Sequence, residues 1–378
     1  MLGHASQLAR RQELGGWFVA DVDAWQDPSG CWRDVVAGYE DDVMVHNSLY
    51  RGTEASTRGM TQYVNDALLH GYDNYDLFGR IPHHPPGKPG GPASAGELIE
   101  AATAAMDAFG VDVQVVFPST LVNMGRTPLP AGEAQVISAY NRWFSEAVCA
   151  AEPRIRFLAH LPLRRPDVCE RVIDEMTGKP GVVGFLVTSL RYDRVQDNRH
   201  MRLYAKIQEA GYPLAFHGGP SWEEPWMRTV DELVTVDAVS APYPNMVHLA
   251  NWVMSGMPER FPGLKVIWMG GGLAWVPFLM QRLDSGQLKR TSEAPLLTRL
   301  PSDYMREMYY TCHPLETQSP RMLRAAMEEI CAPTQLLFAS GWPQWDFDLP
   351  GSILGLDFLG EQAKRNILGE TARKLFSL

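Results

Sequence analysis

The chain is 378 residues long, with 45% hydrophobic and 10% aromatic residues, which is enough to build a packed core and excludes a disordered chain. Its net charge is −10 at pH 7 and it contains no local basic cluster, so we expect neither nucleic acid nor an anionic membrane as a partner. Length alone allows either one large barrel or two ordinary domains.

Cysteine usage and apolar runs indicate the compartment. The five cysteines are scattered without the spacing of a metal site, as is typical of a reducing cytosol. The N-terminal stretch MLGHASQLARRQELGG lacks the apolar core of a secretory signal. No stretch approaches the roughly 18 uninterrupted apolar residues of a membrane span. The sequence therefore predicts a soluble, cytoplasmic protein.

The first predicted strand, Trp17–Val22, leads through Asp21 to Asp23. Residues two apart on an extended strand point to the same side, so both carboxylates are expected to converge on one point. Because adjacent carboxylates repel each other, such a pair favours a metal ion, a bound cation or a shared proton. The alternative is one aspartate in a turn at the strand end and the other in solvent.

Residues 26–95 are predicted to be an irregular insertion after this strand. They include one helical stretch, Thr57–His70, and a stretch rich in Pro and Gly, Ile81–Ala95. We expect the second stretch to be a long loop rather than a linker, because a helix at Gly96–Phe109 follows it directly. The whole chain, residues 1–378, is therefore assigned to a single domain.

From residue 111 onwards, strands and helices alternate. The predicted strands are Val111–Pro118, Ile155–Leu163, Val182–Leu190, Tyr212–Phe216, Leu264–Met269, the end of Tyr304–Thr311, and Leu336–Ala339. The predicted helices between and after them are Glu133–Ala151, Pro166–Met176, Arg199–Ala210, Met246–Met257, Leu273–Leu283, Arg321–Ile330 and Gly360–Phe376. Eight such units predict a single (β/α)8 TIM barrel with a Pro/Gly-rich loop insertion after strand 1. A doubly wound sheet is the alternative, but the chain has no Gly-rich phosphate loop.

A histidine marks the carboxyl end of the fifth predicted strand. The apolar run before it is typical of a strand buried on both faces, and His217 is followed by Gly218, Gly219 and Pro220, which force a turn. Parallel barrels carry their chemistry at this end of the strands. We therefore predict His217 to be a catalytic residue, although a histidine that only binds a backbone carbonyl would give the same pattern.

Further candidates follow other strand ends. His248, in the helix before the sixth strand, is a candidate catalytic residue, with a core histidine as the alternative. Tryptophans near strand ends suggest a pocket for a flat aromatic substrate, and an arginine there could bind a carboxylate through two hydrogen bonds. The candidate substrate-binding residues are Trp25, His160, Arg191, Trp222 and Trp342.

Four stretches of the chain resemble one family. These are Glu259–Asp284, Leu336–Pro350, Ala139–Val148 and the strand that ends in His217. They resemble the branch of the amidohydrolase superfamily that includes aminocarboxymuconate-semialdehyde decarboxylase and related aromatic-acid decarboxylases and hydrolases. The resemblance implies a TIM barrel whose site lies at the carboxyl ends of the strands. It also implies a small-molecule substrate and a homodimer.

The resemblance also implies a divalent metal, usually zinc or manganese. In that family two ligands lie on strand one, a histidine on strand five and an aspartate on strand eight, and many sites add a histidine or glutamate on strand six. Asp21, Asp23 and His217 fall at the first three of these positions. Gly270 stands at the strand-six position and Gly341 at the strand-eight position. Three ligands rich in oxygen would favour manganese or magnesium over zinc.

Three functions remain open from the sequence. The first is a metal-dependent decarboxylase or hydrolase, a carbon–carbon lyase acting on a small aromatic or unsaturated carboxylic acid. The second is a lyase or cyclase of secondary metabolism that works without a metal, with Asp21, Asp23 and His217 as acid/base groups. The third is a catalytically silent barrel that binds a ligand.

Overall fold

The computed structural model describes residues 14, 16–26, 28–39, 92–118, 121–122, 130–188, 193–219, 227, 229–230, 232–344 and 346–378. Its strands are β1 Ala20–Gln26, β2 Val113–Pro118, β3 Ile155–His160, β4 Val182–Thr188, β5 Leu214–His217, β6 Val266–Met269, β7 Tyr309–Thr311 and β8 Leu336–Leu337. They form one parallel sheet in the order β1 to β8.

Helices follow the strands. The α-helices are α1 Trp32–Tyr39, α2 Ala95–Phe109, α3 Pro130–Trp143, α4 Pro166–Met176, α5 Met201–Ala210, α6 Leu233–Ser240, α7 Pro242–Met254, α8 Met257–Arg260, α9 Trp275–Lys289, α10 Pro301–Met305, α11 Pro320–Glu329, α12 Ala332–Gln335, α13 Pro350–Leu354, α14 Glu361–Arg365 and α15 Thr371–Phe376. Two π-helical segments, Phe144–Cys149 and Asn366–Glu370, extend α3 and α14. Short 3-10 turns lie at Ser29–Cys31, Asn198–His200 and Thr291–Glu293.

The sheet closes between β8 and β1 through backbone hydrogen bonds. Val22 N donates to Phe338 O at 2.8 Å and Trp25 N donates to Trp342 O at 2.6 Å, while Gly341 N donates to Asp23 O at 2.9 Å. The chain just after the two-residue β8 thus takes the place of a longer eighth strand. The predicted single (β/α)8 barrel is confirmed.

Two apolar layers hold the barrel together. Phe157, Phe185, Phe216 and Trp268 belong to the layer between sheet and helices. A second cluster fills the barrel interior and includes Val22, Trp25, Val115, Phe117, Leu158, Ala215, Ile267 and Leu337. Because side chains fill this interior, the free space for a ligand lies at the end of the barrel rather than along its axis.

Local signals explain where the second helix begins and ends. The Ser94 hydroxyl accepts a hydrogen bond from Glu97 N at 3.2 Å and so caps the first turn of α2. Gly110 ends the helix at φ +74°, a left-handed conformation that glycine adopts without a steric penalty. The following strand, β2, then starts after only two residues.

The described part of the predicted insertion contains regular structure. Gln26 ends β1, and residues 29–39 form a 3-10 turn followed by helix α1. The predicted helix Thr57–His70 and most of the Pro/Gly-rich stretch lie outside the described residues. None of the helices in the described ranges has the length and apolar character that crossing a bilayer requires.

Candidate active site

A cavity opens at the carboxyl ends of the strands. It encloses about 440 Å³ of empty space, part of which is continuous with solvent. Its described lining comes from β1, α6 and the residues that end or follow β5 to β8: Asp23, Trp25, His217, Gly218, Gly219, Asp237, Ala241, Gly270, Gly271, His313, Pro314, Gln344 and Asp346. Three of the predicted site residues, Asp23, Trp25 and His217, therefore share one cavity.

Asp23 and His217 form a buried pair across the barrel. Nε2 of His217 lies 3.1 Å from Oδ1 and 3.0 Å from Oδ2 of Asp23, and Nδ1 faces the carbonyl oxygen of Gly218. The Asp23 residue is fully buried and His217 is 1% exposed. A carbonyl oxygen only accepts hydrogen bonds, so Nδ1 carries a proton and donates it. Nε2 is then the ring nitrogen that faces both oxygens of the Asp23 carboxylate.

Aromatic rings fix the plane of the His217 imidazole. Phe117 stacks on it with ring centroids 4.0 Å apart and an interplanar angle of 17°. Trp25 meets it edge-on at 5.2 Å and also contacts Phe117 at 4.7 Å. A stacked ring on one side and an edge on another leave the imidazole little rotational freedom, so Nε2 stays directed at Asp23.

The other predicted carboxylate, Asp21, points elsewhere. Its Oδ1 accepts from Ser340 N at 2.8 Å, and its Oδ2 accepts from Ser340 Oγ at 2.6 Å and from Gln114 Nε2 at 3.4 Å. It does not line the cavity in the described structure. The pairing of β1 with β2 shifts register between Asp21 and Ala24. Such a bulge breaks the two-residue alternation, so the predicted convergence of Asp21 and Asp23 on one point is wrong.

Burial of Asp21 sets up a testable pH dependence. Burial raises the pKa of Asp21 to about 6, although the hydrogen bonds from Ser340 lower it. A carboxyl whose pKa is raised on folding stabilises the native state below its unfolded pKa of about 3.9, and this contribution is lost as pH rises through about 6. Asp21→Asn cannot titrate. Its free energy of unfolding, relative to wild type, is expected to rise by about 2 to 3 kcal/mol between pH 4 and pH 7.5.

Chemical denaturation of both proteins at a series of pH values measures this difference. Ser340→Ala provides the comparison, because it removes the hydroxyl donor to Asp21 but leaves the titrating carboxyl in place. It should therefore keep a pH dependence of the wild-type sign. A difference between Asp21→Asn and wild type that stays constant across this pH range would contradict the assignment.

A second histidine in the cavity was missed by sequence reasoning. His313 lies two residues after β7, is 7% exposed, and places Nε2 3.5 Å from Oδ1 of Asp346. Burial opposes a charge on the ring, but the interaction with Asp346 and the charges of Asp348 and Asp23 outweigh it and raise the pKa of His313 to about 9. His313 is therefore a cation at neutral pH.

Two further aspartates lie near His313. Burial and then the charge of Asp346 raise the pKa of Asp237 to about 7, while His313 lowers it. Burial also raises the pKa of Asp348 to about 6, against the opposing charge of His313. Asp346 itself is held below its ordinary pKa because His313 outweighs the effect of burial. The cavity lining therefore contains two groups, Asp237 and His313, that gain or lose a proton between about pH 7 and pH 9.

The positions expected to supply further metal ligands are glycines with positive φ. Gly270 has φ +76°, and a Cβ there would lie 3.2 Å from Cε1 of His217. Gly341 has φ +67°, and a Cβ there would overlap the imidazole of His313. Within the described residues no three His, Cys, Asp or Glu side chains form a group that could hold a metal ion. The described structure does not bring Asp21, Asp23 and His217 together, because both oxygens of Asp21 are bound by Ser340, so a metal at these three residues stays a prediction.

The remaining predicted site residues do not line the described cavity. His248, on α7, stacks on Phe216 at 6.3 Å in the layer between sheet and helices. Trp342 packs against Phe109 at 5.2 Å.

The other three predicted substrate-binding residues are His160, Arg191 and Trp222. His160 is fully buried with its ring 5.7 Å from Phe117, and it is likewise not part of the described lining. Arg191 and Trp222 lie outside the described residues.

The described structure is a parallel barrel with two His–Asp pairs at the carboxyl ends of its strands, the end at which enzymes of this architecture carry their active sites. Residues 80–378 match the family model described as Amidohydrolase. The match covers most of the chain, which therefore belongs to the amidohydrolase family.

Similar proteins include aromatic-acid decarboxylases. Gamma-resorcylate decarboxylase of Polaromonas sp. (strain JS666 / ATCC BAA-500) is 24% identical over 253 residues, 63% of this chain and 75% of that protein. The structure of 5-carboxyvanillate decarboxylase from Sphingomonas paucimobilis has a TM-score of 0.66 at 19% identity, covering 96% of this chain and 100% of that chain. Dihydroxybenzoic acid decarboxylase from Polaromonas sp. JS666, with bound manganese and 2-nitroresorcinol, has a TM-score of 0.66 at 18% identity, covering 96% and 97%.

Proposed function

We propose that this protein is a decarboxylase of a hydroxylated aromatic carboxylic acid, and that it uses acid/base groups of its own chain. Family membership and the similarity to gamma-resorcylate decarboxylase support the reaction class. The observation that carries the proposal is the cavity itself, where two His–Asp pairs and an indole meet at the carboxyl ends of the strands.

The reaction sets clear chemical requirements. An aromatic acid loses CO2 readily once the ring carbon that bears the carboxylate has been protonated. A hydroxyl group on the ring assists if its proton is withdrawn, because its electrons then stabilise the protonated ring. The site must therefore hold one group that accepts a proton from the hydroxyl and one that donates a proton to carbon.

Asp23 is suited to accept the hydroxyl proton. Both of its oxygens face Nε2 of His217, and each keeps a lone pair for a second hydrogen bond. Nε2 of His217 lies within hydrogen-bond distance of both oxygens, and a buried carboxylate that lacked such a partner would be costly. In this proposal Asp23 contacts the substrate and His217 positions Asp23.

The aromatic lining is suited to a flat ring. Trp25 lines the cavity and is 5% exposed, and Phe117 supports it from the barrel interior. Buried aromatic side chains of this kind contact a planar substrate over a large apolar area and exclude water from it. Exclusion of water strengthens the electrostatic effect of each charged group around the reacting atoms.

Turnover without added metal tests the proposal. Protein dialysed against EDTA is expected to convert hydroxylated benzoic acids into the corresponding phenols, with one CO2 released per acid consumed. Liquid chromatography of the aromatic products and coupled detection of CO2 measure both sides of the reaction. Adding back Mn²⁺ should change the rate by less than about threefold. Failure to consume any acid, with or without metal, would contradict the proposed reaction.

A second function is favoured by the charge of the cavity. Three aspartates, Asp23, Asp237 and Asp346, line it against two histidines, and excess carboxylate repels an anionic substrate. A lyase or cyclase acting on a neutral aromatic compound would avoid this repulsion. The same chromatographic assay separates the two functions, because the second one consumes substrate without releasing CO2.

A further inference from the structure

We propose that His313 is the general acid of this cavity and delivers the proton to the ring carbon that loses CO2. The inference deepens the proposed function and rests on it. It assigns a catalytic residue that follows β7, a strand for which neither the sequence motifs nor the resemblance to the family indicated a functional group.

The placement of the imidazole carries the inference. His313 lines the cavity and its side chain is 8% exposed, so the ring is more than nine-tenths buried. Among the described residues, Nε2 makes only a long ion-pair contact, 3.5 Å to Oδ1 of Asp346. A buried N–H group with so long a contact can form a shorter hydrogen bond to a group that binds in the cavity.

The backbone around Gly341 is arranged to accept this ring. Any side chain at position 341 would begin where the imidazole of His313 lies. Gly341 also adopts φ +67°, a conformation in which a residue with a Cβ would be strained. Gly341, which follows β8, therefore leaves room for the imidazole of His313, which follows β7. His313 occupies the space that a side chain at position 341 would take.

The charge around His313 suits a proton donor. Asp346, Asp348 and Asp23 face it with negative charge, and Asp237 lies among the same groups. Together they keep the imidazole protonated at neutral pH in spite of its burial. A group with a pKa near 9 is a weaker acid than an ordinary histidine, but it holds its proton until the substrate arrives.

The step balances in atoms and electrons. The Nε2–H bond of His313 breaks and a C–H bond forms at the ring carbon that carries the carboxylate, using a pair of ring π electrons. The carbon–carboxylate bond then breaks, its electron pair restores the aromatic ring, and CO2 leaves. His313 ends neutral and recovers a proton from solvent through the open side of the cavity. One aromatic carboxylate and one proton thus give one arene and one CO2.

His313→Gln tests the assignment directly. The variant keeps a polar side chain but cannot donate a proton to carbon, so kcat is expected to fall about 100-fold while KM changes by less than about threefold. His200→Gln is the matched control, because it replaces a buried histidine that lies outside the cavity, and it should retain kcat. Binding of the phenol product to each variant, measured by calorimetry, shows that the cavity is intact.

A pH profile separates a proton donor from a merely structural histidine. Wild-type activity should fall as pH rises through about 9, where His313 loses its proton. Asp346→Asn removes the main interaction that raises this pKa, so the alkaline limb should move down by about 1 pH unit or more. Gly341→Ala removes no titrating group but displaces the imidazole of His313, so it should lower kcat.

The outcomes distinguish the two levels of the proposal. If the wild-type protein decarboxylates the acid and His313→Gln does so within about threefold of the wild-type rate, His313 is not the general acid. The decarboxylase function would still stand. If the activity of Asp346→Asn falls at the same alkaline pH as that of wild type, the role of His313 is likewise overturned. A wild-type protein that consumes no aromatic acid would overturn the proposed function, and the assigned role of His313 with it.

Discussion

Asp23→Asn is expected to lower kcat/KM for the aromatic acid by about 1,000-fold or more, whereas Asp21→Asn should stay within about threefold of wild type. The two residues lie two apart on β1, and both are fully buried. Asp23 lines the cavity and faces His217, while both oxygens of Asp21 are bound by Ser340. The pair of variants therefore compares the same chemical change inside and outside the cavity.

The large effect at Asp23 has two physical sources. An amide is not a base, so the substrate hydroxyl would keep its proton. The substitution also removes one of the negative charges that raise the pKa of His313. Steady-state kinetics on both variants, with thermal melts to confirm folding, provide the measurement. Equal losses in the two variants would mean that both carboxylates act together, in spite of the bulge between them.

The barrel was predictable because its signal is repeated. Each buried parallel strand is a short apolar run followed by a helix, and the alternation from residue 111 onwards identifies the fold even where single boundaries are wrong. β8 shows the limit of this reasoning, since Leu336–Ala339 was expected and only Leu336–Leu337 pairs as a strand. The barrel closes through the irregular chain after it, whose hydrogen bonds depend on β1 rather than on local sequence.

The site was predictable only where strand geometry is regular. His217 was found because it ends an apolar run and precedes two glycines, and the structure places it in the cavity with Asp23. The direction of the Asp21 side chain was predicted wrongly because a β-bulge depends on how two strands pair. The sequence of β1 alone does not indicate it. Identical reasoning about carboxyl ends would have selected His313, which follows β7 after one residue, but that strand is only three residues long.

The aspartates that line the cavity were missed in part for a different reason. Asp237 reaches the lining because α6 runs from Leu233 to Ser240 and α7 begins directly afterwards at Pro242. The two prolines of this segment made a helix start at Met246 more plausible from sequence. Pro242 instead occupies the first turn of α7, where a missing N–H costs nothing. Because the sequence patterns did not locate α6, they also did not predict that Asp237 lines the cavity.

Phe117→Ala is expected to lower the free energy of unfolding by about 3 to 4 kcal/mol, because it removes a large buried ring from the barrel interior. Phe117 is 1% exposed and contacts Trp25, His160 and His217 with ring centroids 4.0 to 5.7 Å apart. Its neighbours lie on three other strands of a closed sheet, which restricts how far they can move into the space left behind. Urea denaturation, with the midpoint and slope both fitted, measures the loss.

Phe117→Leu separates packing from the orientation of the imidazole. Leucine restores most of the buried volume, so the loss of stability should shrink to about 1 to 2 kcal/mol. It cannot provide the flat face that stacks on His217 at 17°, so the ring gains rotational freedom and Asp23 loses a fixed partner. We therefore expect Phe117→Leu to keep most of the stability but to lose about tenfold in kcat. A variant that is as active as wild type would show that Asp23 alone holds His217 in place, and that the stacked ring serves only the core.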